Sequence, residues 1–247
     1  MKTKIVFGLV AVMALLFNAC SESATDVVDE EILMSDEMKS SEMAVLLGDS
    51  CDFSAGLSDE EIEGLLLMRE EEKFAHDVYV TLYATHGLPV FDNISKSETA
   101  HTSAILYLID GFGLEDPYVE GVGNYTNAAF TDLYTQLTEQ GNAGVIEALK
   151  VGAFIEEYDI ADLEELIEST ENETLKRVYG NLLRGSTFHL RAFSAVLNGM
   201  GESYTPIVIS QEEYEEILSG NSDDEVSDSS EPFVPGTGVC DGTGPDL

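Results

Sequence analysis

Glu98-Thr-Ala-His101 sets a carboxylate and an imidazole three residues apart. On a helix that spacing brings both to one face, where they can ligate one metal ion while the carboxylate turns toward a second. Chance produces many such pairs, so the weight of this one depends on its company. Glu72, Glu156 and His189 fall on three other helix-periodic segments, and Asp159 follows Glu156 by three residues. Carboxylates brought to one point repel each other, whereas bound cations hold them together. Mixed carboxylate and imidazole donors suit two iron ions or manganese, and histidine also admits zinc. The competing reading of Glu98 and His101 is a buried ion pair that only fixes helix register.

The elements that position these residues announce themselves through caps and periodicity. Ser58-Asp-Glu-Glu61 is a capping box opening a first helix that Gly87-Leu-Pro89 ends. A second helix is predicted over about 92–110, stopping at Gly111-Phe-Gly113. After a loop containing Pro117 comes a short amphipathic helix over about 127–140, and Asn142 can cap a third long helix reaching Ser169. Thr170-Glu-Asn-Glu173 reads as the capping box of a fourth helix ending near Gly199, and Ser210-Gln-Glu-Glu213 opens a last short helix up to Leu218. No strand of convincing length appears. The expected fold class is all-α, with four helices about 30 to 42 Å long packed side by side and short accessory helices.

Residues spaced alternately three and four apart mark the face each long helix turns inward. The series are Leu65, Met68, Glu72, Ala75, Tyr79, Leu82; Phe91, Ile94, Glu98, His101, Ile105, Leu108; Leu149, Ala153, Glu156, Ile160, Leu163, Ile167; and Leu175, Val178, Leu182, Ser186, His189, Phe193, Val196. Each is apolar at its ends and polar near its middle. An unpaired buried carboxylate costs several kcal/mol, so four polar interruptions on facing helices demand mutual compensation.

Neighbouring residues have plainer readings. Glu157 can take the place of Glu156 after a small rotation. Glu70 and Glu71 read as surface charges or partners of Arg69 and Lys73, and His76 as an exposed histidine or a support for a ligand. His86 suits the negative end of its helix. Tyr79 and Tyr107 read as core aromatics, though a tyrosine beside a metal pair can also donate a hydrogen bond or an electron.

The chain has 247 residues, 48 acids against 11 bases, a net charge of -37 and 44% apolar residues. Such a polyanion, with no basic run, excludes nucleic acid as a partner and disfavours acidic membrane surfaces. Its apolar fraction is that of a folded globular protein. Lys2 and Lys4 precede the apolar stretch 5–17, which has the layout of a signal peptide over 1–19, and Ala19-Cys20 is similar to a lipoprotein lipobox, making Cys20 a lipidation site. Cleavage removes Lys2 and Lys4 and no acid, taking the charge from -37 to -39. The expected product is exported and membrane-anchored through lipid alone, facing the periplasm or the cell surface. An acidic tether over 20–56 leads to the helical domain over 57–206, then the short helix over 207–219 and an acidic, glycine-rich tail over 220–247. In an oxidising compartment Cys51 and Cys240 either pair or stay as two free thiols.

Glu72-Lys-Phe-Ala75-His-Asp-Val-Tyr79 resembles the first-helix pattern Glu-x-x-Ala-x-x-x-Tyr of rubrerythrin-type proteins in the ferritin-like superfamily, and Glu98-Thr-Ala-His101 resembles their second-helix motif. The stretches 68–79, 152–163 and 185–193 are similar to the bacterial and archaeal family known as domain of unknown function 2202. The resemblance implies a ferritin-like four-helix bundle with a dimetal centre. Such bundles usually carry a second Glu-x-x-His on the fourth helix, where this chain has Ser186-Thr-Phe-His189; Asp159 is then the substitute carboxylate. With iron, the implied chemistry is metal oxidation by oxygen or peroxide, and without a rubredoxin-like cysteine knuckle the electrons come from a separate donor. A non-catalytic metal-binding or structural module is the alternative, and the assembly left open is a homodimer.

Overall fold

The computed structural model of the protein describes residues 51–220. Within them lie six helices and no strand: α1 (Asp59–His86), α2 (Pro89–Gly111), α3 (Ala128–Asn142), α4 (Val145–Ser169), α5 (Glu173–Gly199) and α6 (Gln211–Ser219). Ser58 and Ser210 form both arms of their capping boxes. Gly87 ends α1 at φ 64°, a conformation glycine adopts without steric cost.

Three boundaries differ from expectation. Helix α2 begins at Pro89 rather than Asp92, because Gly87 reverses the chain at once and proline, whose φ is preset and whose N–H is missing, suits a first helical turn. Asn142 closes α3 instead of capping α4, which starts after Gly144 with no side-chain cap. Thr170 does not cap α5: its hydroxyl donates to Glu61 on α1, and Asn172 takes over by accepting from Thr174 N and Leu175 N.

Cross-helix contacts give the register. Pairing runs Glu61 with Thr170, Gly64 beside Leu166 and Tyr79 with Gly152 and Glu156, so α1 and α4 are antiparallel. Gly152 beside Phe193, Glu156 with His189 and Asp159 with Ser186 make α4 and α5 antiparallel, without slippage along the pairs. Glu98 with His189 and His101 beside Gly185 do the same for α2 and α5, as the two-residue turn 87–88 does for α1 and α2. The inward series are buried apart from the half-buried Ile167 and Val196 near helix ends. At one end Leu65, Met68, Ile105, Leu108, Leu163 and Leu182 pack together; at the other Tyr79, Phe91 and Phe193 meet with ring centroids 5.3 to 6.1 Å apart. The polar middle lies between these two apolar zones.

The outer face of α1 is buried as well, contrary to the reading of Glu70 and Glu71 as surface charges, and Arg69 and Lys73 are buried with them. The long connection between α2 and α3 lies across it and is fastened by charge. Arg69 forks onto both oxygens of Asp116 at 3.0 Å and donates to Thr102 O at 2.8 Å. Glu70 accepts from the N–H groups of Thr126 and Asn127 at 2.6 and 3.0 Å. Lys73 pairs with Asp77, which also accepts from Gly123 N and the Tyr125 hydroxyl at 3.0 Å. Buried charges of this kind persist only when so paired.

Residues ahead of Leu57 join the helical body too: Asp52 N donates to Thr174 at 3.0 Å and Phe53 packs edge-on against Tyr107 and Phe112. Cys51 is disulfide-bonded. The expected signal peptide, Cys20, the tether up to residue 50, Cys240 and the tail from residue 221 lie outside the described residues. No helix among the described residues is long and apolar enough to cross a membrane.

Candidate metal centre

Five of the six expected ligands converge in two overlapping groups. Glu72, Glu98 and His101 form one, Glu98, Glu156 and His189 the other, with the ligand atoms of each group within 4.8 Å of one another and every residue buried. Glu98 is shared. Its Oε2 lies 2.9 Å from His101 Nδ1 and its Oε1 lies 2.9 Å from His189 Nδ1. Glu72 Oε2 stands 3.2 Å from the first imidazole nitrogen, and Glu156 Oε2 stands 3.3 Å from the second.

Each Nδ1 therefore faces two carboxylate oxygens, and one N–H can point at only one of them. The N–H lines up with Glu72 in one case and Glu156 in the other. Glu98 Oε1, in spite of its closeness, receives no hydrogen bond, and neither do the buried Glu72 Oε1 and Asp159 Oδ1. Buried carboxylate oxygens are seldom left so, since each forfeits its solvation. Ions seated between nitrogen and oxygens would satisfy the carboxylates of the two groups. The donor set and the orphaned oxygens thus fit a pair of cations.

Asp159 stands apart from both groups. The Ser186 hydroxyl has Asp159 Oδ2 and Leu182 O both within reach of its one proton, so the serine on α5 meets an α4 carboxylate near the place where a fourth-helix glutamate was expected. Tyr79 donates to Glu156 Oε1, leaving the other oxygen of Glu156 toward His189. Gly185 gives His101 its room: a Cβ there would come within 2.6 Å of the imidazole Nε2.

The electrostatics follow from crowding acids in a dry space. Burial works against the charge of Glu98, yet His189 and His101 outweigh it and hold that carboxyl below the usual range. Burial pushes Glu72 well up, and His101 offsets only part of this. Glu156 is raised for the same reason. Asp159 is raised to about 8 by burial and by Glu156. His189 reaches about 10 because Glu98 and Glu156 overcome the cost of burying a cation, and His101 rises well above its ordinary value with Glu72 and Glu98. The surrounding carboxylates thus favour the charged form of both imidazoles.

Other candidates go elsewhere. Glu157 does not rotate into the centre: its carboxylate accepts from the N–H groups of Ile207, Val208 and Ile209 and from the Tyr204 hydroxyl, tying down the segment before α6. His76 contacts Asp77, and His86 Nε2 meets Gly141 O at 2.9 Å. Glu71, read from the sequence as a surface charge or a partner of Arg69 and Lys73, is buried instead, with an orphaned Oε2 and Asp162 as its neighbour. It lies off the inward series of α1, so no local pattern marks it.

Comparison with known proteins gives the following. A family model described as an uncharacterized protein domain, DUF2202, matches residues 61–221. Uncharacterized protein MJ0754 of Methanocaldococcus jannaschii is 49% identical over 168 residues, spanning 68% of this chain and 91% of that protein. The crystal structure of hypothetical protein MJ0754 is similar with a TM-score of 0.66 at 50% identity, covering 67% of this chain and 95% of that one.

Proposed function

The chain belongs to the DUF2202 family of uncharacterized domains, and from its buried side chains we propose that it is an exported dimetal-carboxylate protein. In this reading it binds two iron or manganese ions and acts in iron oxidation or in the reduction of oxygen or peroxide. The observation that carries it is Glu98, one carboxylate whose two oxygens each approach a different histidine at 2.9 Å. Glu72, Glu98 and His101 would hold one ion, and Glu98, Glu156 and His189 the other, with Asp159 as the remaining carboxylate on the α4–α5 side. The antiparallel pairs α1–α2, α2–α5, α5–α4 and α4–α1 support a ferritin-like four-helix bundle joined by a long crossover through α3. Its assembly as a homodimer belongs to the same reading.

When bound, iron supplies one-electron chemistry toward oxygen or peroxide. The chain does the rest. Its acids would neutralise the ions, its histidines would offer Nδ1 to them, and Tyr79 fixes the orientation of Glu156. Leu65, Met68, Tyr79, Phe91 and Phe193 exclude water at either end. Electrons come from a separate donor. The acidic surface concentrates cations nearby, a rate effect that salt weakens. Export by the leader and a lipid anchor at Cys20, outside the cytoplasm, belong to the same reading.

Metal analysis of protein purified without chelator, alongside Glu98→Ala/His101→Ala, tests this. Two equivalents of iron lost in the variant, with oxygen or peroxide consumed by the wild type, is the expected result. Ser186 in place of a fourth-helix carboxylate favours a second reading, a metal-binding module without turnover, which predicts bound metal and no consumption. No metal in either protein refutes both.

A further inference from the structure

Beside the centre, a second group of acids joins it to solvent. Glu71 on α1 is 7% exposed, and its Oε2 has no hydrogen-bond partner. The α1–α4 register, with Glu61 on Thr170, Gly64 beside Leu166 and Tyr79 on Glu156, brings it level with the half-buried Asp162 of α4, and the two carboxyls act on each other across that seam. Two ionised carboxylates only accept hydrogen bonds, so a stable arrangement between them needs either a shared proton or a cation. The charges acting most strongly on Glu71 are Asp162, Asp159 and Glu72, all acids.

These residues also form a series. On α4, Asp159, Asp162, Glu165 and Glu168 follow one another at steps of three residues, about 4.5 Å of rise each. Because three residues fall short of a full turn, the series winds out of the seam as it climbs. Asp159 is buried, Asp162 and Glu165 are half-buried and Glu168 is exposed. Glu71 meets this ladder where it leaves solvent, one residue from Glu72 of the centre.

Resting on the dimetal reading above, we infer that Glu71 and Asp162 form a transit site for a divalent cation, through which ions pass from the α1–α4 seam to the centre. Glu168 and Glu165 gather the cation at the surface. Glu71 and Asp162 strip part of its water and hold it briefly, too few in donors to keep it. Asp159 and Glu72 receive it.

The test is anaerobic loading of the full chain with ferrous iron, followed by stopped flow and by the equilibrium count of bound ions. Glu71→Gln and Asp162→Asn each keep shape and remove one charge; Asp132→Asn and Glu139→Gln, on the exposed side of α3, remove the same charge elsewhere. Circular dichroism establishes that all are folded. The expected result is loading slowed about tenfold in the two seam variants, the low end of what a focused field contributes to association, with two ions still bound at equilibrium and the α3 variants unchanged. Equal rates in the seam variants overturn the inference, as does equal slowing in the α3 variants. Loss of a bound ion at equilibrium also overturns it, since Glu71 or Asp162 would then be a ligand of the centre. If the wild type takes up no iron, the dimetal reading itself fails, a result distinct from all of these.

Discussion

Glu98→Gln separates a metal centre from a static ion-pair cluster, because the two respond in opposite ways to added metal. Glutamine keeps the size of the side chain and removes the charge that lies 2.9 Å from both His101 and His189. In metal-free protein the change takes a buried anion from between two buried imidazolium groups. Removing one partner of a buried pair costs about 3–5 kcal/mol. For a folded body of this size that is a drop of about 6 to 20 °C in Tm. An ion at a hundred times its Kd adds about 2.7 kcal/mol, or about 5 to 11 °C, per site. Thermal melts in chelator and in excess manganese therefore give four numbers. The wild type gains stability with metal; the variant starts lower and gains almost nothing, because both sites have lost their common ligand. A variant that melts lower in chelator yet shows the full metal-dependent rise refutes the shared-carboxylate geometry. A wild type with no rise refutes the centre.

Other expectations follow from the same contacts. Tyr79→Phe removes the donor to Glu156 and should weaken metal binding by about 10- to 100-fold while leaving two sites, read by titration against a chelator of known affinity. Gly185→Ala drives a methyl group to within 2.6 Å of His101 Nε2, so it should cost about 1–3 kcal/mol and impair the Glu72 site more than the Glu156 site, visible in the cobalt spectrum. Metal uptake at pH 7 should release protons from His101, His189 and Asp159, so affinity rises with pH, and calorimetry in two buffers of different ionisation enthalpy counts them. For the metal-free protein the sign reverses. His189 is raised from 6.5 to about 10 on folding, so its contribution is full below pH 6.5 and is lost as pH rises through about 10, which chelator-treated melts across that range check.

Much of this protein was legible in one dimension, for a definite reason. Periodicity is a local property, so the inward series of four helices could be traced residue by residue, and the polar interruption of each series named Glu72, Glu98, His101, Glu156 and His189 before any coordinates. Caps were legible where both arms lie within four residues, as at Ser58 and Ser210. They failed at Thr170, whose hydroxyl is claimed by Glu61, a residue 109 positions away. The same limit explains the acids. Glu70, Glu71, Glu72 and Glu156, Glu157 are consecutive and chemically alike; periodicity turns Glu72 and Glu156 inward but says nothing of what the other three meet. The fold decides: the crossing connection claims Glu70 for the N–H groups of Thr126 and Asn127, the segment before α6 claims Glu157, and Glu71 is left in the α1–α4 seam with Asp162. The sharing of Glu98 between two histidines, and the contact of Ser186 with Asp159, depend on distances of a few ångströms between helices far apart in the chain. Sequence determined which faces turn inward, because that follows from 3.6 residues per turn. Only the tertiary structure decided which buried charges meet, because their partners come from other helices.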